Sequence, residues 1–244
     1  MTMFQVENLT KVYGKVRAVD DVSFSIQKGE FVGIIGPNGA GKTTLFHLIS
    51  GVQPPTSGKV ILNNEEITGK APHLIVQKGL TRTFQVPRPF QELTVHENVE
   101  IVKSSKLSVH EQAKQIDHLL QQVGLGSRQS QLAGSLPQGD LRRLEMARAL
   151  ATNPDLLLLD EPFAGLNTAE IESLSELLLQ MHDEGITIII IEHKLKALMK
   201  MVKRVIAINF GQLIADDIPQ EVVNNEQVLK AYLGDRSWDF AYNH

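Results

Sequence analysis

Three apolar runs stand out against the mixed pattern of the chain: Phe31-Val32-Gly33-Ile34-Ile35, Leu156-Leu157-Leu158-Leu159 and Thr187-Ile188-Ile189-Ile190-Ile191. Each is too short for a helix and lacks polar alternation, which predicts central, buried strands, with Leu156–Leu159 in a parallel sheet. Phe4 to Leu9 and Val22 to Ile26 instead alternate apolar with polar residues, as strands with one solvated face do, and Lys28-Gly29-Glu30 turns the chain into the first apolar run. Gly58 to Leu62 adds a strand closed by Asn63-Asn64, residues that tolerate left-handed backbone. Phe210-Gly211-Gln212 reads as a turn between the last strands.

The pattern changes between Val86 and Ala151. Pro87 and Pro89 are followed by helical spacing in Thr94 to Ile101 and in His110 to Val123, and by a helix over Leu141 to Ala151. An inserted helical subdomain over about residues 87–151 is therefore expected, with the core resuming at Asp155. From Pro219 the chain reads as a helix followed by Trp238, Phe240 and Tyr242, a tail over 235–244 that could pack on the core. There is no internal repeat or low-complexity segment.

Composition bounds the function. At 244 residues and 42% hydrophobic, the chain can bury one core with a subdomain. With no cysteine, disulfides, thiolate metal sites and thiol catalysis drop out. No apolar stretch reaches the ~18–20 residues of a membrane span, and Met1 to Thr10 lacks a signal-peptide layout, so a soluble chain is expected. A net charge of -4, from 24 basic and 28 acidic residues without a basic run, argues against a bulk nucleic-acid binder.

Chemistry enters where the apolar runs end. After Ile35 comes Gly36-Pro37-Asn38-Gly39-Ala40-Gly41-Lys42-Thr43, which fits the Gly-x4-Gly-Lys-Ser/Thr phosphate-loop pattern. Gly36, Gly39 and Gly41 can take backbone conformations closed to other residues, so successive N–H groups converge on one anion, and a helix starting near Lys42 points its positive end there. Lys42 offers an ammonium to the β- and γ-phosphates, and the Thr43 hydroxyl is placed to ligate Mg²⁺ with Asp160. Asn38, Ala40 and Thr44 complete the candidate nucleotide-binding loop.

Asp160 and Glu161 follow the leucine run, at the end of a strand where ligands bind in α/β sheets. Asp160 would hold the metal's water shell, and Glu161, one residue off the strand, could polarise water attacking the γ-phosphate. The isoleucine run ends in Glu192-His193, which puts an imidazole at the same edge. Loop, Asp160-Glu161 and His193 in this order, with Gln85 between them, point to ATP hydrolysis and not to phosphate binding alone.

These residues resemble an ATP-binding-cassette ATPase over Phe4 to about Gly234. The resemblance implies an α/β phosphate-loop NTPase cassette, with a mixed core sheet, a small antiparallel β subdomain and the helical insert, over residues 1–234. It implies that Tyr13 stacks on adenine, and that Gln85 contacts Mg²⁺ and the attacking water and links the core to the helical subdomain. Ala164-Gly165-Leu166-Asn167 resembles the family's dimer-interface loop, with asparagine for the usual aspartate. The family's Leu-Ser-Gly-Gly-Gln signature reads Leu136-Pro137-Gln138-Gly139-Asp140. Pro137 supplies neither hydroxyl nor N–H, Asp140 adds negative charge near a phosphate capped in trans, and Gly139 remains as the candidate contact. The segment is compatible with tolerated variation and with a weakened composite site.

Within the family, Arg82-Thr83-Phe84-Gln85, Pro89-Phe90, Leu93-Thr94-Val95, Glu161 to Leu166, Asn209-Phe210-Gly211 and Ala231-Tyr232-Leu233-Gly234 resemble the ATPase subunits of branched-chain amino acid importers. The resemblance implies membrane-spanning partner subunits, a second cassette subunit in a heterodimer, a solute-binding protein, no nucleic acid, and a peripheral place on the cytoplasmic face of the inner membrane. A lipopolysaccharide-export ATPase shares some of these motifs. Two other classes stand beside an ATPase for transport: an ATP-gated regulatory half with weak hydrolysis, and a soluble cassette protein acting on DNA or ribosomes. Glu161 and His193 speak against the first; the missing second cassette, coiled coil and basic arm speak against the second.

Overall fold

A computed structural model describes residues 2–102 and 109–233; the aromatic tail at 235–244 lies outside them. The chain divides into two compact units, residues 1–72 with 189–244 and residues 73–188.

The first unit opens with β1 (Thr2–Tyr13), β2 (Val16–Gln27), β3 (Phe31–Ile35), α1 (Lys42–Ile49), β4 (Ser57–Leu62) and β5 (Glu65–Glu66). β2, β1, β4 and β5 form an antiparallel sheet in that order. β1 and β2 run well past the expected Phe4–Leu9 and Val22–Ile26. A bulge hides the continuation from a period-two reading: Asn8 takes φ 46, its side-chain amide donates to Asp21 Oδ1 at 2.9 Å, and the register slips between Val6 and Leu9. Asn63 and Asn64 both have positive φ, the backbone a tight hairpin turn requires.

α2 (Pro72–Gln77) leads into the second unit, which holds β6 (Leu80–Arg82), α3 (Val95–Glu100), α4 (Val109–Gln122), α5 (Gln138–Leu150), β7 (Leu156–Asp160) and α6 (Thr168–Asp183). β6 pairs parallel with β7, Arg82 opposite Leu158. α3, α4 and α5 pack on one another. Thr94 and Glu97 close a capping box at the start of α3. α5 begins three residues before the expected Leu141. Pro137 sits at its N-cap, where no N–H is needed, and its carbonyl accepts the Leu141 N–H at 3.0 Å, so the helix starts directly after the proline.

β8 (Thr187–Ile191) crosses the division and returns the chain to the first unit, with α7 (Leu195–Met201), β9 (Arg204–Asn209), β10 (Gln212–Asp217), α8 (Pro219–Asn224) and α9 (Glu226–Leu233). β9 lies parallel to β3 and antiparallel to β10, so this sheet is mixed. Every residue of β3, β7 and β8 is buried, as their unbroken apolar character requires. The helix expected from Pro219 is two, divided at Asn225, whose side chain accepts the N–H groups of Gln227 at 2.9 Å and Val228 at 3.3 Å and so restarts the helix.

Candidate functional site

In the first unit β3 delivers the chain to the glycine-rich loop, and the loop's shape is dictated by its neighbours. Gly36 (φ 156) and Gly41 (φ 104) press on the Ile208 and Ala18 carbonyls, which a β-carbon at either position would strike. The Gly211 N–H donates to the Ala40 carbonyl at 2.9 Å and its own carbonyl accepts from Asp20 N–H, tying the loop to the turn after β9. Gly41 caps α1, and no acidic side chain stands in the first turn to offset the positive helix end.

Lys42 is only 5% exposed. Its ammonium donates to the Gly36 carbonyl at 2.7 Å and the Pro37 carbonyl at 3.0 Å, which aims the charge back across the loop. Asn38, Gly39 and Thr43 are exposed, Thr44 is half-buried, and Ala40 is buried. A cavity of about 570 Å³ lies beside the loop, between Pro37–Ala40, Phe210, Ile214 and Lys230.

Tyr13 ends β1 with its ring 44% exposed; its hydroxyl bonds the Gln53 side chain and the Lys11 ammonium stands 5.2 Å from the ring centroid. His193 follows β8 and is exposed. The buried Glu192 carboxylate accepts both the His193 N–H at 2.8 Å and the Lys194 N–H at 3.1 Å, so the turn that presents the imidazole is built by the residue before it. Tyr232 on α9 is a contact that sequence reasoning assigned no role. Burial pushes its phenol well above the usual tyrosine range, against the Gly36 N–H, which donates to the hydroxyl.

The second unit carries the carboxylates. Asp160 closes β7 and is 2% exposed; its Oδ2 accepts from Arg82 Nη2 at 2.7 Å, while Oδ1 is buried without a hydrogen-bond partner among the described residues. A buried carboxylate oxygen left open is costly unless something polar reaches it. A hydrated Mg²⁺ meets that need, so the residues fit the ion expected there. Arg82 thereby joins the candidate site; its pairing with Asp160 depends on β6 lying beside β7.

Glu161 takes φ 49, a left-handed conformation that is strained for a residue with a β-carbon. It turns the chain sharply off the strand, and its Oε2 accepts the Gln85 side-chain amide at 2.7 Å. The structure thus brings Gln85 and Glu161 together across distant sequence. Asn167 caps α6 in a reciprocal box with Glu170, a position where asparagine and aspartate serve equally.

Leu136 to Asp140 spans the entry into α5. Gly139 faces the Glu170 carboxylate, 2.8 Å from where a β-carbon would sit. Asp140 does not carry its charge alone: Arg128 Nη1 lies 2.9 Å from Oδ2, an ion pair without the alignment of a hydrogen bond. The negative charge noted in the sequence is therefore offset locally, though with Arg128 41% exposed the pair is partly screened.

A family model described as ABC transporter matches residues 19–164, and a second, described as branched-chain amino acid ATP-binding cassette transporter, matches residues 212–237. The chain is 37% identical to the high-affinity branched-chain amino acid transport ATP-binding protein BraF of Pseudomonas aeruginosa, over 96% of this chain and 98% of that one. It is 33% identical to the lipopolysaccharide export system ATP-binding protein LptB of Haemophilus influenzae, over 97% and 99%. Among solved structures, the ADP conformation of MJ1267, an ATP-binding cassette of an ABC transporter, superposes with a TM-score of 0.87 at 32% identity, covering 96% of this chain and all of that one (100%).

Proposed function

Because the chain belongs to the ABC transporter family and is its nucleotide-binding ATPase subunit, we propose that it energises uptake of branched-chain or other amino acids through membrane-spanning partner subunits. The match of residues 212–237 to the branched-chain amino acid model carries the choice of solute class.

In this reading residues 1–234 are the nucleotide-binding domain, with the helical insert at about 87–151 and a tail at 235–244. The loop from Gly36 to Thr44 cradles the phosphates through its N–H groups and the Lys42 ammonium. Tyr13 offers its exposed ring to adenine. Thr43, Gln85 and the open Oδ1 of Asp160 are the groups that would hold Mg²⁺, which when bound supplies charge neutralisation to the β- and γ-phosphate oxygens. Glu161 takes the proton of the attacking water as general base, Gln85 orients that carboxylate, and His193 donates a hydrogen bond to the γ-phosphate. Gly139 and the N-terminus of α5 cap ATP held by a second cassette subunit, a different chain from this one, since Pro137 lacks the hydroxyl and the N–H that would contact the phosphate.

Among the described residues no helix is long and apolar enough to cross a membrane. Membrane attachment in this reading is peripheral, at the cytoplasmic face and through partners, with a solute-binding protein delivering the amino acid and nucleic acid playing no part. Reconstitution with the membrane subunits in lipid vesicles tests the proposal: ATP-dependent accumulation of leucine, isoleucine or valine is expected. The likeness to the LptB protein supports a second reading as an exporter ATPase, which ATP-dependent lipopolysaccharide movement in place of amino acid uptake would favour.

A further inference from the structure

The segment from Thr83 to Phe90 contains Gln85 but has no helix or strand to hold it. Its ends are anchored elsewhere, the Thr83 N–H on the Leu158 carbonyl at 2.9 Å and the Phe90 N–H on Asn98 Oδ1 at 2.8 Å, and between them the backbone is held by one face of α5. Arg142, 2% exposed, donates through Nη2 to the Gln85 carbonyl at 2.5 Å and through Nη1 to the Phe84 carbonyl at 3.2 Å. The same Nη1 reaches Glu145 at 3.3 Å, and the other Glu145 oxygen accepts the Phe84 N–H at 2.7 Å. One turn further, Arg148 donates to the Arg88 carbonyl at 2.8 Å, and its guanidinium stands 5.3 Å from the centroid of the Phe90 ring.

Spacing of three residues places Arg142, Glu145 and Arg148 on one side of the helix, all turned to the same eight residues. Burial pushes the Glu145 carboxyl up, opposed by the Phe84 N–H and the two arginines. A buried arginine, a largely buried glutamate and a half-buried arginine are an expensive way to build a helix surface, since aliphatic residues of that size pack as well at lower cost. What they supply that aliphatics cannot is direction: a guanidinium fixes two carbonyls at once.

We propose that Arg142, Glu145 and Arg148 form a polar clamp that positions the Gln85 side chain on Glu161, so that the helix opening at the signature segment also sets the hydrolytic carboxylate. None of the three touches reacting atoms; they act through Gln85, and the proposal rests on the reading of Gln85 and Glu161 as hydrolytic residues. It links two ends of one rigid element. A displacement of the α5 N-terminus, where the opposite ATP would be capped, is carried along the helix to the backbone of Gln85.

The test uses the full chain with its partner subunits. Arg142→Met is expected to lower kcat about tenfold or more while the KM for ATP stays within about twofold, since the loss falls on the chemical step. Amide hydrogen exchange at Phe84 to Arg88 accelerates, and exchange in the Gly36–Thr43 loop is unchanged. Arg142→Lys, which keeps one donor, recovers part of the rate. Combined with Gln85→Ala, Arg142→Met adds no further loss, because both act through one group. Should Arg142→Met fail to fold, Arg148→Met carries the same expectation with a loss of about threefold, a single hydrogen bond's share. Full turnover in Gln85→Ala overturns the reading of Gln85 itself. A slow Gln85→Ala beside a fast Arg142→Met, or beside losses that multiply independently, overturns the clamp alone.

Discussion

In the phosphate loop Gly36 and Gly41 are hemmed in by backbone carbonyls, whereas Gly139, in the segment from Leu136 to Asp140, faces a side chain. Gly36 and Gly41 abut the carbonyls of Ile208 and Ala18, which belong to strands and cannot move aside. The three atoms nearest a β-carbon at Gly139 all belong to the Glu170 side chain, and Asp140 pairs with the Arg128 side chain. A neighbour that can rotate away tolerates substitution; a strand carbonyl does not. At Leu136–Asp140 the helix α5 starts directly after Pro137, with Gln138 as its first residue.

Lys42→Ala is expected to abolish ATP binding or severely weaken it, because no other side chain in the loop brings a positive charge to the phosphates; a near-normal titration curve would contradict the loop's assignment. Glu161→Gln should leave that titration intact and slow hydrolysis by about 10²- to 10⁴-fold, the range for losing a positioned general base. Turnover within a factor of about two of the parent would assign the proton to another group.

For the signature, Pro137→Ser with Gln138→Gly should raise the ATPase rate of the chain alone by about ten- to a hundredfold, from the ~1.5–3 kcal/mol of a hydrogen bond to a charged phosphate. Vigorous hydrolysis by the unmodified chain, unaltered by the double change, would remove the case for a weakened cap and for a different partner cassette.

Stability sharpens the contrast at smaller scale. Gly41→Ala forces a β-carbon onto the Ala18 carbonyl at φ 104 and should cost about 3 kcal/mol in denaturant titration, against about 1 kcal/mol or less for Gly139→Ala in the first turn of α5. Equal costs would erase the distinction between the two surroundings. Asn167→Ala should cost about 1 kcal/mol through loss of the α6 cap, while Asn167→Asp leaves the midpoint nearly unchanged.

Much of this was legible in the residues. Apolar runs announced β3, β7 and β8, since a strand buried on both faces leaves no room for polar alternation. The bulge at Asn8, the short β6 and the restart at Asn225 were not legible, because each depends on a hydrogen bond or strand pairing that periodicity does not record. The candidate site divides in the same way. Gly36 to Thr43, Asp160 and Glu161 stand out as candidates in the sequence because the chemistry proposed for them is local, a loop or a strand end with the residue types that phosphate and water require.

The buried strands and the inventory of reactive groups follow from the sequence alone, because short-range periodicity and residue type record both. Tertiary structure decided the pairings. Arg82 meets Asp160 at a separation of 78 residues, Gln85 meets Glu161 at 76, and Arg142 grips the Gln85 carbonyl at 57. Such contacts are set by which strands lie side by side and which helix face turns inward, and a linear pattern of hydrophobicity holds no record of either.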